Sequence, residues 1–342
     1  MKTKRKIYLG KTADSRTRKK KVVDEVSRSL QHKLAEQYKD FTIYLLKKGY
    51  STSTTEQHIT EANRFLQWME KENIEEIETV TYNDVLGYVQ SLSTIKNRSK
   101  DLYLRGIKQY FNFLITQNII TENPAEHVHI HGIKRKTLYN ILNCHELDKL
   151  YHDYRLPDEA NDKNKNQNWF KQSAMVAKRN KVMLGFIVYQ GMNTLELSRL
   201  AITDIKLREG KVLIAGSRRS NERILKLEAQ QILNIMEYSL KVREQLLQLN
   251  NKETDLFFVS AGSSERFNNA VNVLMAKLRK LNKKVTSLKQ LRASVITHWL
   301  KHYNLREVQY MAGHRYVSST EGYLINDLDD LLEEITKYHP IN

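Results

Sequence analysis

The chain has 342 residues, enough for two domains, and 40% of them are apolar, enough for a sizeable core. The 56 Lys and Arg against 39 Asp and Glu leave a formal net charge of +17, which points to a polyanionic partner. No run approaches the ~18 apolar residues of a membrane span, no signal-peptide core is visible, and a lone cysteine, Cys144, excludes an internal disulfide framework. No membrane partner and a reducing, cytoplasmic setting are therefore expected.

Only 3 prolines and 12 glycines predict a mainly helical protein. Residues 1–22 carry ten Lys or Arg against one acid, Asp14, and read as a basic flexible arm: a solubilising tail or an arm that touches phosphates. Residues 23–126 read as a helical unit. Leu34, Tyr38, Phe41, Leu45 and Leu46 form one stripe, Gly49 ends it, and Ser51 or Ser53 caps a second helix buried through Ile59, Ala62, Phe65, Leu66 and Met69. Tyr82 to Leu92 and Leu102 to Ile115 read as two more helices, and Asn123-Pro124-Ala125 ends the unit. Lys96, Arg98, Lys100, Arg105 and Lys108 cluster in sequence as candidate phosphate contacts, although each also suits a solvated helix face.

Residues 127–137 read as a linker. His127, His129 and His131 alternate there without an evident fourth ligand, so no metal is assigned, and Lys134, Arg135 and Lys136 are candidate phosphate contacts. A second domain spans 138–325. Asn143 caps its first helix, and the apolar run Val182 to Tyr189 predicts a buried one. It leads into GMNTLELSRLAITDI at 191–205. Lys211 to Ala215 and Arg223 to Leu227 alternate as a hairpin with Arg218 and Arg219 in its turn. Glu228 to Leu249 reads as a long helix, Leu256 to Val259 as a short third strand, and Phe267 to Leu281 as a basic helix running on to Lys283 and Lys284. Residues 326–342 form an acidic amphipathic helix suited to docking on protein.

The stretch LKQLRASVITHWLKHYNLREVQYMAGHRYVSSTEGY, from Leu288 to Tyr323, carries the chemistry. Ser287 and Asn304 are helix caps, and Gly313 suits a helix C-terminus that needs positive φ. Arginine and histidine donate to phosphate oxygens, and a tyrosine phenol is a nucleophile. Lys289-x-x-Arg292, then Gly313-His314, then Tyr323 resembles the tyrosine recombinases, the phage-integrase family. The segment at 191–205 resembles that family's first active-site box at Gly191, Glu196, Leu197, Leu200, Asp204 and Ile205, and the N-terminal helices resemble its SAM-like core-binding domain.

The resemblance implies a helical SAM-like domain followed by an α/β catalytic domain. It implies a site-specific recombinase or integrase of a mobile element, acting on double-stranded DNA sites as a homo-tetramer docked through the C-terminal helix. An accessory DNA-bending protein is a further partner it allows. Tyr323 would join the 3′ end, Arg292 clamp a non-bridging oxygen, Lys289 help, and His314 donate to the phosphate or assist deprotonation. No cofactor, metal or ATP is needed, because the phosphodiester energy is kept. Arg218, Arg219, Lys283 and Lys284 would face DNA. Two positions depart from the pattern. Asn193 stands where the family has an arginine on the scissile phosphate, a group worth about 10³- to 10⁵-fold in phosphoryl transfer. Arg218 stands near the family's proton-donating lysine; arginine stabilises charge but gives up a proton reluctantly. Arg199, six residues along a helix from Asn193, is expected to point elsewhere. Two alternatives stay open: a recombinase-derived DNA-binding protein without chemistry, and type IB topoisomerase-like strand relaxation.

Overall fold

The chain divides into two units, Met1–Lys136 and Thr137–Asn342. The structure, a computed structural model, describes residues 38–133, 139–158, 163–164, 166–218, 220–251, 253–261 and 267–324. The expected N-terminal arm, Leu34, Lys134, Arg135, Lys136, Arg219 and the acidic C-terminal helix lie outside the described residues.

In the first unit, α1 (Lys39–Lys47) is followed by α2 (Thr52–Lys71), α3 (Tyr82–Ser91) and α4 (Asn97–Thr116). Ser51 caps α2, and Thr81 with Asp84 forms a reciprocal capping box on α3. Helix α4 begins five residues before the apolar run that predicts it, because Asn97 to Asp101 form a polar first turn. Helices α2 and α4 approach closely at Gly106, where a Cβ would lie 2.7 Å from that of Glu61. Phe65, Tyr88, Ile107 and Phe111 fill the core beside them. After α4, the Asn123 side chain accepts from the Ala125 N–H at 2.9 Å and donates to Asn112 at 2.8 Å, which closes the Asn-Pro-Ala turn. Beyond it, His127, His129 and His131 are exposed while Val128 is buried, the alternation expected of an extended chain.

The second unit is built around α6 (Asn168–Val188), whose last seven residues are all buried. It packs against α5 (Cys144–Asp153), α8 (Ala229–Glu237), α10 (Phe267–Leu281) and α11 (Leu288–His302). Two cations share this apolar neighbourhood. Arg179 donates to the Val259 carbonyl at 2.9 Å, and Lys181 donates to the carbonyls of Tyr151 and Tyr154, so neither charge lacks acceptors. Between α6 and α8 come α7 (Thr194–Arg199) and an antiparallel sheet of β1 (Ile205–Lys206), β2 (Lys211–Ile214) and β3 (Arg223–Lys226), in that order. The register pairs Lys211 with Lys226 and Ile214 with Arg223, which turns Arg223 and Leu225 inward. A π-helical turn, Tyr238–Val242, joins α8 to α9 (Arg243–Asn250), so the long helix expected from Glu228 is continuous but wound wider at its middle. Among the described residues the remaining α-helices are α12 (Leu305–Ala312) and α13 (Val317–Glu321).

This is the mainly α, two-domain architecture with a small antiparallel sheet that the sequence predicts. One strand is misplaced in that reading. Residues 256–259 make only a bridge from Leu256 to Ala201, and the third strand is β1, on the other side of β2. Phe257, Phe258 and Val259 are buried as an extended segment: Phe257 N–H donates to the Leu200 carbonyl at 2.7 Å and Val259 N–H to the Tyr238 hydroxyl at 3.1 Å.

Candidate active site

Five elements bring the site together: α7, the hairpin of β2 and β3, α11, α12 and α13. Asn304 caps α12 with Glu307 as its capping-box partner, and Gly313 ends the helix at φ +67°. That residue must be glycine for a second reason: a Cβ there would lie 2.3 Å from Nη1 of Arg223. A Gly313→Ala substitution is therefore expected to lower the unfolding free energy by about 3 kcal/mol, from the left-handed backbone and the blocked guanidinium together. Urea denaturation reads this directly, and a loss below about 1 kcal/mol would mean that Arg223 is not held against the turn.

His314 follows the turn. The β-hairpin tip reaches it through backbone: Ser220 pairs with His314 as a bridge, and Asn221 N–H donates to the Gly313 carbonyl at 3.0 Å. The His314 ring lies parallel to the Tyr323 ring at 5.6 Å, with 10° between planes, and its Nδ1 is 2.9 Å from Thr320 Oγ1 on α13. Tyr323 is half-buried against Ile296, Val308 and Ala312, and its phenol lies within electrostatic reach of the Arg292 guanidinium.

Arg292 projects from α11 and is nearly buried. It donates from Nη2 to the Ala312 carbonyl at 2.6 Å and from Nη1 to the Gly191 carbonyl, so it ties the end of α12 to the turn before α7. Its Nη1 is also 3.3 Å from Glu196 Oε2. The other Glu196 oxygen accepts from Arg223 Nη1 at 2.9 Å. A single buried carboxylate thus bridges two guanidinium groups. Burial alone would raise the Glu196 carboxyl, but the hydrogen bond and charge of Arg223, with the charge of Arg292, hold it below the usual carboxylate range.

Asn193 caps α7. Its side-chain oxygen accepts from the N–H groups of Leu195 and Glu196 at 2.9 and 3.0 Å, and its own N–H donates to Glu196 Oε2 at 2.9 Å. Asparagine therefore has a local task here that arginine cannot perform, worth about 0.5–2 kcal/mol. A pocket of about 240 Å³ opens between these groups, with Asn193, Glu196, Arg292, Gly313, His314, Ser217 and Ser220 on its walls. Arg199 lines it too, contrary to the expectation that it points away; α7 is short, and the pocket extends along it.

The neutral form of His314 dominates near pH 7. Burial, then the charges of Arg292 and Arg223, push its pKa down to about 4. Because this lies below the unfolded value of about 6.5, stability is full above pH 6.5 and is lost as pH falls from there through about 4. Wild type should lose about 2 kcal/mol more than His314→Asn across this window, after allowing for partial exposure to water. Parallel urea titrations at pH 7 and pH 4.5 check it, and equal losses would refute the buried neutral histidine.

The structure thus brings Arg292, His314, Tyr323 and Asn193 together. Lys289 is exposed one turn before Arg292, and Arg218 is exposed in the hairpin turn, its carbonyl accepting from Arg315 at 3.0 Å. Sequence reasoning missed Arg223, although the alternation of β3 faces it inward and an inward arginine demands an acid. Among the candidate DNA contacts, Lys96, Arg98 and Lys283 are exposed. Arg105 pairs with Asp101 at 2.7 Å and Lys284 with Glu146 at 2.7 Å. Lys100 and Lys108 donate to backbone carbonyls, and Lys277 lies over the Tyr154 ring at 3.9 Å, so these three also serve packing.

Comparison with known proteins bears on the family and the fold. Residues 162–328 match the model of the phage integrase family, and residues 38–118 match that of the phage integrase N-terminal SAM-like domain. The chain belongs to the phage integrase family. Curated relatives include the tyrosine recombinase XerC of Oceanobacillus iheyensis, 25% identical over 306 residues that cover 88% of this chain and 94% of the relative. XerD of the same organism is 26% identical over 309 residues, covering 88% and 97%. Among solved structures, the XerH site-specific recombinase bound to a palindromic difH substrate has a TM-score of 0.63 at 19% identity, covering 82% of this chain and 79% of that one. A dimer of lambda integrase(75-356) bound to a COC' core site has a TM-score of 0.55 at 14% identity, covering 85% and 94%. Both share the integrase-family fold of this chain.

Proposed function

We propose that this integrase-family chain is a site-specific DNA recombinase that cuts and rejoins double-stranded DNA through a 3′-phosphotyrosyl bond at Tyr323. The observation that carries the reading is that Arg292 and His314 share the wall of one pocket while the Tyr323 ring stacks on His314 and its phenol acts on the charge of Arg292. In cleavage, Tyr323 Oη forms a bond to phosphorus and the bond from phosphorus to the 5′ oxygen breaks. The phenolic proton goes to His314: in the tautomer whose Nδ1–H donates to Thr320, Nε2 keeps a lone pair and is the base. The 5′ oxygen leaves with a proton from solvent, its developing charge facing the hairpin and Arg218. Arg292 neutralises a non-bridging oxygen, assisted by Lys289 near the DNA backbone. The 5′ hydroxyl of a partner strand then attacks phosphorus and gives its proton to solvent, the bond from phosphorus to Tyr323 Oη breaks, and the phenol takes its proton back from His314.

The same reading makes Lys96, Arg98 and Lys283, which are exposed, phosphate contacts, and gives Arg218 and Arg219 of the hairpin turn the same role. It gives the acidic C-terminal helix a docking role in a tetramer on DNA, and it places the protein in the cytoplasm with a mobile element. Among the described residues no helix is long and apolar enough to cross a membrane.

A second reading has its own observation: Asn193 is committed to a helix cap, so the chain could bind DNA without cutting it. Incubation with nicked duplexes of randomised core sequence separates the two. A covalent adduct on Tyr323, mapped by mass spectrometry, is expected. Sequence-selective binding without any adduct would establish the second reading.

A further inference from the structure

Arg223 is 1% exposed on β3. Its guanidinium sits between Glu196 and the Gly313 turn, both walls of the pocket. Only Nη1 has a partner; Nε and Nη2 are buried without one among the described residues. A guanidinium in that state carries a desolvation cost that ordinary packing would avoid, since a neutral side chain of the same shape would fill the space. Its partner Glu196 lies on the helix that Asn193 caps.

We propose that Arg223 is a positioning residue that supplies, from the hairpin, the positive charge missing at position 193, acting on the scissile phosphate through the Glu196 bridge to Arg292. The inference rests on the recombinase reading. It divides two tasks between two residues: Asn193 holds α7, and Arg223 holds Glu196 against Arg292 so that the Arg292 guanidinium stays aimed and the net charge beside the phosphate stays positive. Without Arg223, the pair Arg292–Glu196 sums to zero; with it, the triad sums to +1. The charge of Arg223 also reaches His314, where it favours the neutral imidazole.

The test uses the full chain and a duplex selected from the randomised library, made with either an ordinary phosphate or an uncharged methylphosphonate at the scissile position. Arg223→Gln should slow adduct formation on the phosphate by about 10²- to 10³-fold, below the span for an arginine that touches the transition state. The loss on the methylphosphonate should be under about tenfold, because that group has no charge to balance. Arg223→Lys should recover most of the phosphate rate, and Arg199→Ala, removing an arginine that lines the pocket outside the Glu196 bridge, should not discriminate between the substrates. Equal losses of Arg223→Gln on both substrates would make Arg223 a structural residue and overturn the proposal, as would a phosphate-selective loss in Arg199→Ala instead. If wild type leaves the methylphosphonate uncut, the lysine variant decides: recovery supports the proposal and no recovery overturns it. Absence of any wild-type adduct would sink the recombinase reading itself, and this inference with it.

Discussion

A Tyr323→Phe variant is expected to fold and bind DNA as wild type does, and to form no covalent adduct. The ring stays packed on Ile296, Val308 and Ala312, so only the hydroxyl and its interaction with Arg292 are lost, at about 1 kcal/mol of stability. The effect on cleavage is far larger, because removing a nucleophile costs on the order of 10⁶-fold. The relevant assay is gel-resolved adduct on nicked duplex beside a mobility shift on intact duplex. An adduct that persists in the Phe variant would transfer the nucleophile to another residue. A joint loss of binding and adduct would mean that the hydroxyl serves structure.

The second large effect concerns Glu196. Its two oxygens take Arg223, Arg292 and the Asn193 N–H, and it is buried. Glu196→Ala leaves two buried guanidinium groups facing each other with no acid between them. Breaking a buried ion pair from one side costs about 3–5 kcal/mol, so urea unfolding at pH 7 should reveal a loss in that range. The wild-type contribution also has a sign with pH. The folded carboxyl lies below its unfolded value, so the stability it provides is complete above the unfolded pKa and disappears as pH falls through the folded one. The gap between wild type and Glu196→Ala should therefore narrow on acidification. A variant that loses under 1 kcal/mol at pH 7 would show that the bridge does not hold the site together.

Much of the second unit was legible because its signals are local. Asn143, Ser287, Asn304 and Gly313 each announce a helix end by a side chain or backbone freedom that few other residues offer, and each is found at one. The order of Arg292, His314 and Tyr323 fixed the expected chemistry, since short helices between them leave little freedom in how the three meet. The errors share a different cause. Phe257, Phe258 and Val259 form a short apolar run, and burial without pairing looks the same in sequence as a strand. At two residues, β1 is too short to show any period. Asn193 reads as a lost arginine only until Glu196, three residues on, is recognised as its capping-box partner. Arg223 was hidden because its partner is 27 residues away, and long-range pairing leaves no mark in local spacing.

The contact of the hairpin tip with the segment after α12 limits how this protein can vary. Ser217 and Ser220 close the tip on each other, and Ser220 and Asn221 continue the backbone pairing onto Gly313 and His314. Surface hairpins usually accept added or deleted residues. Here one extra residue before Ser220 would slide the pairing out of step and carry Asn221 away from Gly313. The length of this loop is set by the histidine across from it, as firmly as the residues within it are.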